Sequence, residues 1–158
     1  MSQLEIAKPL TLPCGLTLSK RLAKAAMAEG WGDRDKLPHA DLIKTYSLWA
    51  DGGWGMILTG NVQIDAAYLG TPEDTAVNED ISQARLISSW KQWVRFASEK
   101  RTPIIMQLNH PGRQSILGAG TRSYLAKTLA PSAIVFGTPK EMSVPEIEDV
   151  TQRFANAA

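Results

Sequence analysis

The sequence is poor in cysteine, has no long apolar run and carries no excess of one charge. Cys14 is the only cysteine among 158 residues, which excludes an intramolecular disulfide and a cysteine-based metal site. The 17 Lys and Arg residues are scattered and balanced by 16 Asp and Glu residues, so the formal net charge is only +1. This balance argues against nucleic acid and acidic membrane surfaces as partners.

No segment approaches the roughly 18 apolar residues of a membrane-spanning helix. The N-terminus also has no basic start followed by an apolar run, so no secretion signal is expected. We therefore expect a cytoplasmic protein. With 44% hydrophobic and 21% charged residues, the chain has the composition of one globular domain over residues 1–158.

Apolar periodicity predicts strands that alternate with amphipathic helices. Short apolar segments at 9–12 and 16–18 flank a Pro-Cys-Gly turn and predict an N-terminal hairpin. The later elements are a strand at 21–27, a helix that Pro38 opens and Gly52 ends, a strand at 56–60, a helix at 82–100 and a strand at 103–108.

A final helix is expected to begin at Ser143, which forms a capping box with Glu146 and would bury Ile147, Val150 and Phe154. Before it, residues 109–142 are punctuated by Gly and Pro and have few periodic apolar residues. A connection of this length is usually functional or a small subdomain, so we expect it to lie over the active face.

Buried strands that alternate with helices predict an α/β fold with a parallel sheet. In such sheets and barrels the chemistry collects at the carboxyl ends of the strands. That rule selects a short set of candidates at three strand ends: Met27, Ala28 and Glu29, then Gly60 and Asn61, then Gln107, Asn109 and His110.

Three segments of the chain together resemble the Old Yellow Enzyme family, the FMN-dependent ene-reductases built on a (β/α)8 barrel. They are LTLPCGLTLSKRLAKAAMAEG at 10–30, GGWGMILTGNVQID at 52–65 and QLNHPGRQS at 107–115. The resemblance continues through the closing segment SVPEIEDVTQRFANAA, so it covers nearly the whole chain. It is specific, because four separated motifs agree in order and spacing.

The resemblance implies an FMN site with these strand ends as one wall. The main chain of Ala26, Met27 and Ala28 would face the isoalloxazine ring, and Gly60 would leave room at the edge of the ring. Gln107 would hydrogen-bond the pyrimidine side, where an amide that both donates and accepts matches the flavin. At Ala28 the family usually has a Cys or Thr that hydrogen-bonds the flavin, which alanine cannot do.

The resemblance also implies that the chain ends where the fourth strand of the family would begin. The expected fold is thus a truncated (β/α)8 TIM barrel with about three strand-helix units and an N-terminal hairpin. The substrate-holding pair, the protonating tyrosine and the phosphate-binding loops of the family would lie outside it. Because a partial barrel leaves apolar sheet edges open, a homo-oligomer or a complementing second-half chain is expected to cover them.

Five residues on the predicted active face are candidates for roles beyond flavin binding. His110 titrates near neutral pH and is a candidate acid or base, with Glu29 as a second catalytic candidate if it lies near His110. Trp31, Tyr68 and Asn109 are candidates for binding a small apolar substrate.

Several of these candidates also have a purely structural interpretation. Gln107 could satisfy backbone groups at the end of a buried strand, and His110 could make a structural hydrogen bond. Glu29 could be a surface carboxylate. Arg113 could anchor its loop through an ion pair or could clamp an anion.

Three functions remain open from the sequence. The chain could supply the flavin wall of an FMN oxidoreductase that depends on NAD(P)H. It could instead work without a cofactor in a redox-neutral step, as an isomerase, epimerase or cyclase that uses His110, Gln107 and Glu29. It could finally be a non-catalytic partner of a full-length relative.

Overall fold

The computed structural model describes residues 4–133 and 139–158, apart from the side chains of residues 96–98. Two short 3₁₀ turns, Glu5–Ala7 and Gly112–Gln114, accompany three helices and eight short or medium strands in these residues. The elements are β1 (Leu10–Thr11), β2 (Thr17–Leu18), β3 (Ala23–Lys24), α1 (Ala40–Asp51), β4 (Met56–Gln63), β5 (Thr75–Ala76), α2 (Gln83–Glu99), β6 (Ile104–Asn109), β7 (Leu129–Ala130), β8 (Lys140–Glu141) and α3 (Val144–Ala157).

The main sheet is parallel and centres on β4. The β6 strand pairs along one edge of β4, while β3 and then β5 pair along the other edge. The N-terminal strands β1 and β2 form the expected antiparallel hairpin, with Leu10 opposite Leu18. The alternation of parallel strands and helices predicted from the sequence is confirmed, and in the described residues the sheet is open.

The first and second strands of this sheet differ in length from the prediction. The strand expected at 21–27 is only Ala23–Lys24, because the main chain after Lys24 leaves the sheet and brings Glu29 back against Gly60. The strand expected to end at Gly60 continues to Gln63, because both β5 and β6 pair with its second half.

Helices α1 and α2 cover one face of the sheet. Their packing buries seven residues in one core: Leu42, Ile43, Tyr46, Ala50, Ile57, Val62 and Trp93. Helix α1 begins at Ala40 and not at Pro38, since the side chain of His39 accepts a hydrogen bond from the Asp41 N–H and caps the helix. This packing fixes β4 and Tyr46 behind the strand ends.

Helix α3 begins as predicted, but its apolar face is less buried than expected. The capping box between Ser143 and Glu146 is confirmed. None of the helix residues is fully buried, and Ile147 is 47% exposed. The helix is instead tied to the loops at the strand ends by Arg153, which forms ion pairs with Asp65 and Glu79.

The segment between β6 and α3 contains some regular structure of its own. The 3₁₀ turn at Gly112–Gln114 follows β6, and β7 pairs with β8 in a short parallel ladder. Residues 134–138 of the predicted loop lie outside the described residues. None of the described helices is long and apolar enough to cross a membrane.

Candidate functional site

A β-bulge in β4 shapes the carboxyl end of the sheet. Between the pairs Leu58–Ile105 and Asn61–Gln107, β4 advances three residues while β6 advances two. The Thr59 hydroxyl takes the place of a main-chain acceptor and receives the Gln107 N–H at 2.9 Å. Bulges of this kind redirect side chains next to binding sites.

Gly60 lies in this bulge in a very crowded position. Its N–H donates to the Tyr46 hydroxyl at 2.7 Å. A Cβ atom at Gly60 would lie 2.0 Å from Glu29 Oε2 and 2.2 Å from the main-chain oxygen of Met27. The sequence resemblance implies that Gly60 leaves room for a flavin edge, and the structure shows a second reason for glycine, namely the close approach of residues 27–29.

Glu29 is held by a buried polar network. Lys24, only 4% exposed, places Nζ 3.0 Å from Glu29 Oε1 and also donates to the main-chain oxygens of Ala25 and Leu58. The Tyr46 hydroxyl donates to the same carboxylate oxygen at 2.9 Å. Burial, and then the charge of Glu29, raise the pKa of Tyr46, so its phenol stays protonated as a donor.

The structure shows no bond between Glu29 and its expected partner in the described residues. Among the described residues the polar partners of Glu29 are Lys24 and Tyr46, and no hydrogen bond or ion pair joins it to His110. The sequence analysis did not identify Lys24 or Tyr46 as part of the site. A lysine in the middle of the apolar run RLAKAAM was the one available signal, since a lysine is rarely buried without a partner.

An amide pair spans the ends of β4 and β6. Gln107 Nε2 donates to Asn61 Oδ1 at 2.6 Å, and these two residues are opposite one another in the ladder. Oε1 of Gln107 and the NH₂ group of Asn61 have no hydrogen-bond partner among residues 4–133 and 139–158. The amide pair therefore keeps one free acceptor and one free donor, the two kinds of group that the C=O and N–H groups of a flavin pyrimidine ring require.

Two residues further along the strands, a second pair of amides is linked to a carboxylate by hydrogen bonds. Asn109 Nδ2 donates to Gln63 Oε1 at 2.9 Å, and Gln63 Nε2 donates to Asp74 Oδ2 at 2.8 Å. The Asp74 carboxylate also receives the N–H groups of Gly70 and Thr71. The binding role predicted for Asn109 therefore competes with a contact that holds the strand ends together.

The segment expected to face the flavin is accessible. Ala26 is half-buried, Met27 is 55% exposed and Ala28 is exposed. Ala28 offers only its main chain to a ligand, as expected from the sequence.

His110 contacts the Tyr68 ring at a tilted angle and forms a hydrogen bond at only one of its two ring nitrogens. Its Nδ1 accepts the Gly112 N–H at 3.1 Å, while its Nε2 is buried and has no hydrogen-bond partner among the described residues. The Tyr68 ring lies 5.3 Å from the imidazole, and the Arg122 guanidinium lies 5.0 Å from the Tyr68 ring. Burial lowers the pKa of His110 below its ordinary value of 6.5, although the nearby Asp65 opposes this shift.

The lowered pKa of His110 predicts a pH-dependent stability. The unfolded chain takes up a proton near pH 6.5 and the folded chain does so only at lower pH, so acidification favours the unfolded state. We expect the free energy of unfolding to fall as the pH is lowered through 6.5.

Denaturant unfolding at a series of pH values between neutral and acidic conditions would measure this dependence. His110→Asn should flatten the curve over this interval. His39→Asn is the matched control, because His39 is exposed at the start of α1. Equal curves for the wild type and His110→Asn would contradict the prediction.

Trp31 lies apart from the His110 stack. It is 46% exposed and lines a cavity of about 460 Å³ together with His39 and Asp41. Tyr68 contacts His110 instead, so the structure places the two aromatic substrate candidates in different surroundings. In the described residues no group of three or more His, Cys, Asp or Glu side chains could hold a metal ion.

A sequence model of the "NADH:flavin oxidoreductase / NADH oxidase family" matches residues 5–158. The chain belongs to this family. Among curated proteins, family members named NADH-dependent flavin oxidoreductase are 45% identical in Hypocrea jecorina and 47% identical in Talaromyces variabilis. Both alignments cover 100% of this chain but only 43% and 42% of the relative, so the chain spans less than half the length of these family members.

Solved structures of the family share the fold. The Old Yellow Enzyme from Pichia sp. AKU4542 superposes with a TM-score of 0.82 at 21% identity, covering 98% of this chain and 42% of that enzyme. A morphinone reductase structure gives a TM-score of 0.81 at 21% identity, with 98% and 45% coverage. The fold is therefore the one expected from the sequence, the N-terminal part of an Old Yellow Enzyme TIM barrel.

Proposed function

We propose that this chain supplies one wall of an FMN site in an NADH-dependent flavin oxidoreductase. The observation that carries the proposal is the Asn61–Gln107 amide pair at the carboxyl ends of β4 and β6. Its unpaired acceptor and donor are complementary to the pyrimidine edge of a flavin. The relatives' names, NADH-dependent flavin oxidoreductase, support both the cofactor and the electron donor.

Different residues of the chain would contact different parts of the flavin ring. Gln107 and Asn61 would fix its pyrimidine edge, and the accessible main chain of Ala26, Met27 and Ala28 would lie against the ring. The ring held by these residues would supply hydride transfer from a nicotinamide donor to an acceptor substrate. The buried network behind Gly60 would hold the wall in place.

His110 is the proposed acid–base candidate of this site. Its buried Nε2 has no described partner, and its lowered pKa favours the neutral imidazole near neutral pH. Because Nδ1 accepts the Gly112 N–H, the neutral imidazole carries its hydrogen on Nε2, and this atom can donate to a substrate oxygen but cannot accept. A small apolar substrate beside Tyr68 and His110 fits this arrangement.

A covering chain is also proposed for the open edge of the sheet. Ile105 on the edge strand β6 is 49% exposed, and an apolar edge of this kind is normally covered. A second copy of the chain, or a complementing chain from the same family, would cover this edge. The mass of the protein in solution, alone and after mixing with a full-length relative, tests this part of the proposal.

The flavin proposal is tested by FMN titration of Gln107→Leu. The substitution keeps the approximate size of the side chain but removes its hydrogen bonds, so we expect FMN affinity to fall about tenfold. Quenching of flavin fluorescence measures the binding.

Gln92→Leu, on the exposed surface of α2, is the control and should bind FMN like the wild type. Failure of the wild-type chain to bind FMN, alone or with a full-length relative, would refute the proposal. Turnover of a small metabolite without FMN or NADH would then favour the isomerase interpretation.

A further inference from the structure

A basic cleft lies in the segment between β6 and α3 and shares no residue with the candidate flavin wall. The cleft has a volume of about 340 Å³ and lies between the 3₁₀ turn at Gly112–Gln114 and the loop that leads into β7. Arg113, Arg122 and Lys127 are among its lining residues, together with the hydroxyl-bearing Ser115, Tyr124 and Thr128.

The positive charge of this cleft is not neutralised locally. No Asp or Glu lines the cleft, and no carboxylate in the described part of the chain forms an ion pair with Arg113, Arg122 or Lys127. Arg113 and Lys127 are exposed at the rim. The loop-anchoring ion pair considered for Arg113 is therefore absent from the described residues. Three cations that line one cleft create a potential that attracts an anion.

The third cation is held rigidly in the wall of the cleft. Arg122 Nη1 donates to Ser115 Oγ at 2.7 Å, and its guanidinium stacks over Tyr68 at 5.0 Å. Arg122 Nε is buried, and no residue in the described part of the chain forms a hydrogen bond with it. On the other side, Thr128 Oγ1 donates to the Gly112 oxygen at 2.6 Å and fixes the strand that enters the cleft. A guanidinium fixed in this way loses little freedom when it binds a ligand.

We propose that this cleft binds the phosphate group of a small organic phosphate. Guanidinium groups match phosphate oxygens geometrically, and charge-assisted contacts of this kind are roughly twice as strong as neutral hydrogen bonds. The volume lies within the range of small-molecule pockets. Tyr124, which is 74% exposed, offers an aromatic face for the organic part of the ligand.

Two sources of phosphate share this chemistry. One is the pyrophosphate of a nicotinamide dinucleotide, an assignment that rests on the proposed function. The other is a free phosphate ester unrelated to electron transfer. The stack of Arg122, Tyr68 and His110 connects the cleft to the candidate acid–base residue, which favours a ligand whose other end takes part in the reaction.

Calorimetric titration of the full chain without FMN tests the site with ADP, inorganic phosphate and adenosine. We expect ADP and phosphate to bind and adenosine to show no comparable binding. The double variant Arg113→Gln/Lys127→Gln should weaken ADP binding by about tenfold or more, because two charge-assisted contacts are lost. Both residues are exposed at the rim and make no described ion pair, so the fold is expected to persist.

The control is Lys44→Gln/Lys91→Gln, which makes the same change of net charge on α1 and α2. It should leave ADP affinity within about twofold of the wild type, since distant surface charges are screened. Three results would overturn the proposal. ADP affinity could fall equally in both double variants, it could stay unchanged in the cleft variant, or adenosine could bind as tightly as ADP.

A further titration with NADH distinguishes the two sources. If NADH competes with phosphate and the cleft variant weakens NADH binding, the dinucleotide is the ligand. Loss of phosphate binding with unchanged NADH binding supports the site and assigns it to a free phosphate ester. The ADP titration contains no flavin, so ADP can bind to the cleft even if the chain does not bind FMN. Likewise, the chain can bind FMN even if ADP does not bind to the cleft.

Discussion

Replacement of Gly60 by alanine is expected to destabilise the fold by about 3 kcal/mol or more, at the upper end of the range for overpacked sites. The added methyl group would meet the main-chain oxygen of Met27 at 2.2 Å and the Glu29 carboxylate at 2.0 Å. A backbone oxygen cannot move away as the tip of a flexible side chain can, so the segment at 27–29 must be displaced. Chemical denaturation measures the loss.

A matched control separates crowding from backbone strain. Gly15 has φ of +86° and nothing within 4 Å of an added Cβ, so Gly15→Ala carries only the conformational cost of about 1 kcal/mol. If Gly60→Ala lost no more stability than Gly15→Ala, residues 27–29 would not lie against β4 as described. Loss of FMN binding in a fully stable Gly60→Ala would instead favour the flavin edge as the reason for glycine.

Glu29→Gln is expected to cost about 3 kcal/mol, because it leaves the Lys24 ammonium buried without a counter-charge. The substitution preserves the shape of the side chain, so the loss reports the charge and not a cavity. Thermal and denaturant unfolding of the two proteins measure it. The same variant should disturb the main chain of Ala26, Met27 and Ala28 that is proposed to face the flavin.

The control for this variant makes the same chemical change in an exposed pair. Glu99 lies 3.1 Å from Arg95 on the surface of α2, and Glu99→Gln should cost roughly 0.5 kcal/mol or less. The double variant Lys24→Met/Glu29→Gln should recover part of the stability, because the uncompensated charge is removed. Similar losses for Glu29→Gln and Glu99→Gln would show that the Lys24–Glu29 pair is not effectively buried.

Local features of the sequence predicted the elements that depend on local interactions. The capping box at Ser143 needs only residues within one helical turn, and it forms as expected. Helix α2 and strand β6 lie within a residue of their predicted bounds because their apolar patterns are unambiguous. The strand predicted at 21–27 forms only at Ala23–Lys24, because an apolar run does not show where the chain leaves the sheet.

The site was predictable in its location but not in its connections. The rule that chemistry collects at strand ends selected Gln107, Asn61 and His110 as candidates. It did not show that Gln107 bonds Asn61, that His110 stacks on Tyr68, or that Arg122 completes this stack. These pairings join residues far apart in the sequence, and spacing along one strand carries no information about them.

The sequence alone determined that this protein alternates parallel strands with helices and belongs with the flavin oxidoreductases, because periodicity and motif order are properties of the chain. Only the tertiary structure decided what the candidate residues touch. It turned Glu29 away from His110 and into a buried pair with Lys24, since a buried ammonium needs a counter-charge and the bulge at Gly60 leaves space for one. It also placed Arg113 and Lys127 in one cleft with Arg122, which contacts the Tyr68 ring.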